Sequence, residues 1–156
     1  MCILFIAVKQ HPEFPLIICA NRDEFHQRPT QHIHQWADKP LIAGKDLQAG
    51  GTWLGVNHQK HFAALTNYRL PNQGVKNKKS RGELVVNALT SLSNNPFSEF
   101  MKKLPGQSLD YQGFNLVFGD VNSLYCFDST TQKTSEINAG CHSVSNGAMN
   151  DKWPKM

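Results

Sequence analysis

Hydrophobic positions near the start of the chain fall in unbroken runs, not in alternation. Residues 2–8 (Cys-Ile-Leu-Phe-Ile-Ala-Val) and 16–20 (Leu-Ile-Ile-Cys-Ala) are apolar throughout, and each has the length of a strand. Between them His11-Pro12-Glu13 reads as a turn. A connection that short makes the two strands antiparallel neighbours. Antiparallel strands usually alternate because one face meets water, so unbroken runs predict an antiparallel sheet covered on both faces. Two such sheets stacked on each other, with helices outside, satisfy the pattern.

A second hairpin is expected from residues 52–56 and 62–66, which flank the polar turn Asn57-His58-Gln59-Lys60. The segment 25–50 is rich in His, Gln, Pro and Asp and reads as a long functional loop. Residues 71–79 are polar and basic and read as loop as well. Ser80-Arg81-Gly82-Glu83 has the form of a capping box, with Ser80 as N-cap and Glu83 reaching back. Leu84, Val85, Ala88, Leu89 and Leu92 form the apolar stripe of the helix that follows. A second short helix is expected to open at Pro96 or Ser98 and to end near Lys103, before Pro105-Gly106. Strands return at 114–118, 123–127, 134–137 and 141–144. The predicted class is α+β with antiparallel sheets.

Composition narrows the function classes. A chain of 156 residues has room for one domain, and with 40% hydrophobic and 18% charged residues it is too apolar for a disordered segment. No apolar run approaches the ~20 residues needed to span a bilayer, so no transmembrane segment is expected. Residues 2–8 lack the basic start and small-residue cleavage site of a secretory signal, which points to a cytoplasmic protein. The four cysteines, Cys2, Cys19, Cys126 and Cys141, form no CxxC pair and read as free buried thiols. A net charge of +4 is too small for the footprint of a nucleic-acid binder.

Turn positions bring chemistry-bearing residues together. Centring the first hairpin near Pro12 sets Cys2 opposite Arg22 or Asp23, so Asn21-Arg22-Asp23-Glu24 lies beside the N-terminus. Centring the second near residue 59 sets Asn67 opposite roughly Thr52 and Trp53. Removal of Met1 would leave Cys2 with a free α-amine. Its amine and thiol have reference pKa values of about 8 and about 8.5, so one residue supplies both base and nucleophile. Arg22 would lower the thiol pKa, Asp23 would bind and orient the ammonium, and Asn67 would donate to a developing oxyanion. Each residue also has a plainer reading. Cys2 can serve as a small hydrophobe, Arg22-Asp23 as a structural ion pair and Asn67 as a strand-end residue.

The same residues carry a family resemblance. Met1-Cys2, Ala20-Asn21-Arg22-Asp23-Glu24-Phe25 and Arg28-Pro29-Thr30 resemble the NRDE family, also called the transport and Golgi organisation protein 2 family. Ala43-Gly44-Lys45-Asp46, Gly50-Gly51-Thr52-Trp53-Leu54-Gly55 and Ala64-Leu65-Thr66-Asn67-Tyr68-Arg69 match its blocks, as do Ser145-Asn146-Gly147 and Trp153-Pro154-Lys155. That family resembles N-terminal nucleophile hydrolases, which implies an αββα sandwich and a possible amidohydrolase acting on a small linear amide. By position, Cys2 matches the nucleophile, Asp23 the carboxylate that binds its amine and Asn67 the oxyanion-hole asparagine. Asn146 resembles a second asparagine near the α-amine. Those hydrolases place an arginine three residues before the aspartate, where this chain has Ala20, so Arg22 would serve from another register. Family members run on past Trp-Pro-Lys, which implies that residues 1–156 are a single domain lacking its C-terminal part. The alternative that the resemblance implies is a non-catalytic carrier or trafficking protein for haem or a lipid-like, acyl-CoA-type ligand.

Other clusters of histidine and basic residues bear on ligands. His32-x-His34 and His58-x-x-His61, with His26 nearby, lack accompanying cysteines or carboxylates at zinc spacing, so no metal is expected. Lys76, Lys78, Lys79 and Arg81 precede a helix start and would suit a phosphate or acyl-CoA headgroup, or else form a solvated loop. Gly50-Gly51 reads as a tight turn before Trp53, not as a phosphate cradle.

Overall fold

The computed structural model describes residues 2–68 and 78–152; Met1, Arg69, Lys76 and the Trp153-Pro154-Lys155 block lie outside them. Ten strands and two helices follow in chain order: β1 (Cys2–Val8), β2 (Leu16–Arg22), β3 (Thr30–Gln35), β4 (Leu41–Asp46), β5 (Leu54–Asn57), β6 (Phe62–Asn67), α1 (Gly82–Leu92), α2 (Phe97–Ser108), β7 (Phe114–Gly119), β8 (Leu124–Asp128), β9 (Lys133–Glu136) and β10 (Gly140–Val144). Two antiparallel sheets result. One has three strands in the order β10-β1-β2, and the other has seven in the unbroken sequence β3 to β9.

Period-two side-chain alternation builds the layers. Along β1, Cys2, Leu4, Ile6 and Val8 are buried, and the last three pack with Val144 against Phe62, Ala64, Val117 and Leu124 of the large sheet. The other face of β6 and β7, with Ala63, Leu65, Leu116 and Phe118, packs against Leu84, Val85, Ala88 and Leu89 of α1 and Phe100 and Leu104 of α2. The class is therefore an α+β sandwich of antiparallel sheets, as the hydrophobic pattern predicted. Complete burial belongs to β7 and, up to Thr66, to β6. The first hairpin differs from expectation. Phe5, Ile17 and Cys19 are exposed on its outer side, and among the described residues both helices pack on the large sheet, giving three layers.

Three local expectations are corrected. Residues 25–50 are not one loop, because β3 and β4 pair within them with a bulge between Gln31 and His34. β3 is nearly all exposed, so its polar sequence carries no alternation, and β4 supplies its order through backbone pairing. The capping box does not form. Arg81 occupies the N-cap with no side-chain cap bond, and Glu83 instead accepts the Tyr111 hydroxyl. Finally, α2 continues through Pro105 to Ser108. Burial of Phe100 and Leu104 outweighs the backbone bond that the proline forgoes, and Ser108 Oγ donates to the Pro105 carbonyl at 2.7 Å.

The turn from β4 to β5 couples the large sheet to α1. Gly50 has φ +75°, a left-handed conformation. A Cβ on Gly51 would lie 2.5 Å from the Gly82 carbonyl carbon and 2.9 Å from the Glu83 nitrogen. Thr52 N–H donates to the Gly82 carbonyl at 3.1 Å, so this loop and the start of α1 are held in contact. Gly51→Ala must displace backbone and should cost about 2–3 kcal/mol. Gly50→Ala meets open space and pays only for its φ, about 1 kcal/mol. Urea denaturation of both variants checks the order; a smaller loss for Gly51→Ala contradicts the packing account.

Candidate active site

Register delivers the polar cluster to one end of the sandwich. Cys2 pairs with Arg22 across β1 and β2, one of the two partners that the turn position allowed. Leu54 pairs with Ala64, and Leu65 N–H donates to the Trp53 carbonyl at 2.8 Å. Asn67, at the end of β6, lines the same cavity as Gly51 and Thr52. Cys2, Arg22, Asp23 and Asn67 all line one cavity of about 540 Å³, a size suited to a small ligand.

The fifth predicted residue stands behind the wall. Asn146 is buried and donates from Nδ2 to the Asn67 carbonyl at 2.7 Å. Its neighbour Ser145 donates from Oγ to the Cys2 carbonyl at 3.2 Å. The residues just past β10 therefore tie the main chains of Cys2 and Asn67 together. Asn146 thus contacts the Asn67 main chain and is not among the described residues that line the cavity.

Arg22 lowers the Cys2 thiol as expected, but burial outweighs it. Burial pushes the Cys2 thiol above its ordinary value; the N-terminal charge and Arg22 pull it down without overcoming that, while Asp23 and Glu24 push it up. Arg22 is also shared. Its guanidinium lies 3.5 Å from Glu24 and 3.5 Å from Asp46, which spreads its charge over two carboxylates. Asn21 donates from Nδ2 to Asp23 at 2.8 Å.

Asp46 and Arg28 were missed as site residues. Arg28 Nε donates to Asp46 at 2.8 Å and also faces Glu24 at 3.9 Å, and the Gln48 and Ala49 N–H groups donate to the other Asp46 oxygen. Both residues sat inside motif blocks, but their contact spans 18 positions and no local spacing marks it. The apolar side of the cavity comes from Trp53, Leu54 and Leu65, and a basic rim from Lys78, Lys79 and Arg81. His32 lines the cavity, whereas His61 packs on Phe97. Among the described residues no three His, Cys, Asp or Glu side chains group to hold a metal ion, and no helix is long and apolar enough to cross a membrane.

An α+β sandwich whose first strand presents a cysteine to a polar-and-apolar cleft defines the class of protein. The family follows from comparison. The model of the Transport and Golgi organisation 2 family matches residues 1–156, and the chain belongs to that family. Relatives include the Transport and Golgi organization protein 2 homolog of Bos taurus, 32% identical over 100% of this chain and 60% of its own length. The Homo sapiens homolog is 31% identical with the same coverage. The Drosophila melanogaster protein is 28% identical over 79% of this chain and 47% of its own length. The chain thus spans about 60% of the mammalian relatives.

Two outcomes test the site's geometry. Burial disfavours the charged form of Asp46, but the N–H groups of Ala49 and Gln48 and the Arg28 guanidinium outweigh it and hold the carboxyl below its usual value. Its contribution is therefore full above the unfolded value near 4 and is lost as pH falls through the lower folded value. Asp46→Asn should cost about 1–3 kcal/mol at neutral pH, with the gap to wild type closing below about pH 4. Urea melts at several pH values read this; a gap independent of pH contradicts it. In alkylation by iodoacetamide, exposed Cys19 and Cys141 should react first and Cys2 more slowly. Cys126, buried and pushed up to about 12, should react last. Peptide mass mapping over time reads the order.

Proposed function

We propose that this protein is a cysteine hydrolase of small, linear, non-peptide amides, using Cys2 as an N-terminal nucleophile. The observation that carries the reading is the convergence of Cys2, Arg22, Asp23 and Asn67 on one cavity. Removal of Met1 would free the Cys2 amine. That amine takes the thiol proton as Sγ attacks the amide carbon, forming the C–S bond. Asn67 Nδ2 donates to the resulting oxyanion, and Asn146 keeps Asn67 in position through its carbonyl. Collapse breaks the C–N bond as the ammonium returns the proton to the leaving amine. Water, deprotonated by the same amine, then attacks the thioester carbon; the C–S bond breaks, the acid is released, and the ammonium returns the proton to the Cys2 thiolate. Asp23 orients the ammonium, and Arg22 favours the thiolate. The reading sets the protein in the cytoplasm, where thiols such as Cys19 and Cys141 stay reduced.

A second reading is a non-catalytic carrier that uses the same cavity for haem or a lipid-like acyl ligand. Two observations favour it: the thiol is held neutral by burial, and the relatives carry transport in their name.

The readings separate by experiment. Intact mass of the protein from its native host should lack Met1; retention overturns the N-terminal nucleophile. Against a panel of acyl amides, Cys2→Ala should reduce hydrolysis about a thousandfold or more, and Asn67→Ala roughly 10²-fold to 10³-fold in kcat. Hydrolysis that persists in Cys2→Ala excludes the mechanism. A haem titration without a Soret shift removes the haem carrier.

A further inference from the structure

Charge around the cavity is unbalanced in a specific way. Six lysines and arginines line it against three carboxylates. Arg22 and Arg28 are satisfied by Glu24 and Asp46, and Lys79 pairs with Asp110 at 2.7 Å. Lys45 sits over the Trp36 ring, 4.5 Å from its centroid, and Lys78 is exposed and donates to the Leu109 carbonyl. Arg81 is different. It is partly buried, and Nη1 donates to the Gly113 carbonyl at 3.0 Å. Among the described residues it makes no ion pair, and the segments outside them contain no Asp or Glu. A guanidinium has five N–H donors and keeps its charge, so a half-buried one without a carboxylate is a costly arrangement. Its backbone is fixed by the contact of the Gly51–Thr52 turn with Gly82. Burial pulls the Arg81 guanidinium below its ordinary value, an effect that an ionised Cys2 would oppose, and both residues line the cavity.

We propose that Arg81 is the anion-binding, specificity-determining residue of this cavity, and that the amide it selects carries a carboxylate. The inference rests on the amide-hydrolase reading above and names its substrate class. The guanidinium fork pairs with a planar carboxylate through two parallel N–H bonds, while Trp53, Leu54 and Leu65 receive an apolar acyl chain. The substrate is an N-acyl amino acid or a close analogue, bound at its charged end by Arg81 with the amide toward Cys2.

Binding is measured apart from turnover, by isothermal titration of the Cys2→Ala chain with N-octanoylglycine and with neutral N-octanoylglycinamide. The acid should bind at least tenfold more tightly. Adding Arg81→Gln should reduce that preference to less than twofold, and Arg81→Lys should keep part of it. Equal affinity for the two ligands, no measurable binding of the acid, or a preference untouched by Arg81→Gln overturns the proposal. If Arg81→Gln loses its cooperative melt, wild-type protein decides. N-octanoylglycine, but not the glycinamide, should protect Arg81 from phenylglyoxal as read by peptide mass, and absence of protection overturns the proposal. The two readings fail separately. Arg81-dependent preference without any hydrolysis removes the hydrolase and leaves the anion site. Cys2-dependent hydrolysis that is equal for acid and glycinamide removes the anion site and leaves the hydrolase.

Discussion

Packing of one face of β1 against the large sheet is the constraint on which the rest depends. Leu4, Ile6 and Val8 are buried between the sheets, and Cys2 shares their face. Because side chains alternate with period two, a slip of one residue would move all of them outward and replace them with Ile3, Phe5 and Ala7. The hydrophobic effect therefore sets the direction in which Cys2 points. With the strand pinned, its pairing sets Arg22 across from Cys2, and the side chains of Ser145 and Asn146 donate to the carbonyls of Cys2 and Asn67.

That arrangement exposes a tension in the site. The burial that orients Cys2 also raises its thiol, and Arg22, the cation beside it, is divided between Glu24 and Asp46. A thiol held neutral is a poor nucleophile. In the hydrolase reading, an amine on the same residue resolves the difficulty by taking the proton during attack. In the carrier reading, the neutral thiol is simply part of a cleft wall. The chemistry thus turns on Met1, one residue before the buried strand.

Legibility in the sequence followed the range of the interactions. Both hairpins and the α1 stripe were readable because turns and periodicity are local, and the position of Pro12 narrowed the partner of Cys2 to Arg22 or Asp23, of which pairing chose Arg22. β3 was not readable. Its residues are exposed and polar, and only pairing with β4 orders them. The Ser80 capping box was a sound local pattern that lost to a distant partner, since Tyr111 engages Glu83 across 28 positions. Local grounds make Pro105 a helix end, but burial of Leu104 carries α2 past it.

The sequence by itself determined the α+β class, the family and the presence of Cys2, Arg22, Asp23 and Asn67 at neighbouring strand ends. These depend on apolar runs, turn position and motif blocks, all of which act over a few residues. Tertiary structure decided how charge is distributed around them. It paired Arg22 and Arg28 with Asp46 and Glu24, put Asn146 behind Asn67, and left Arg81 without a carboxylate among the described residues. Electrostatic partners are chosen by distance in space and by burial, and neither is written in the spacing of residues along the chain.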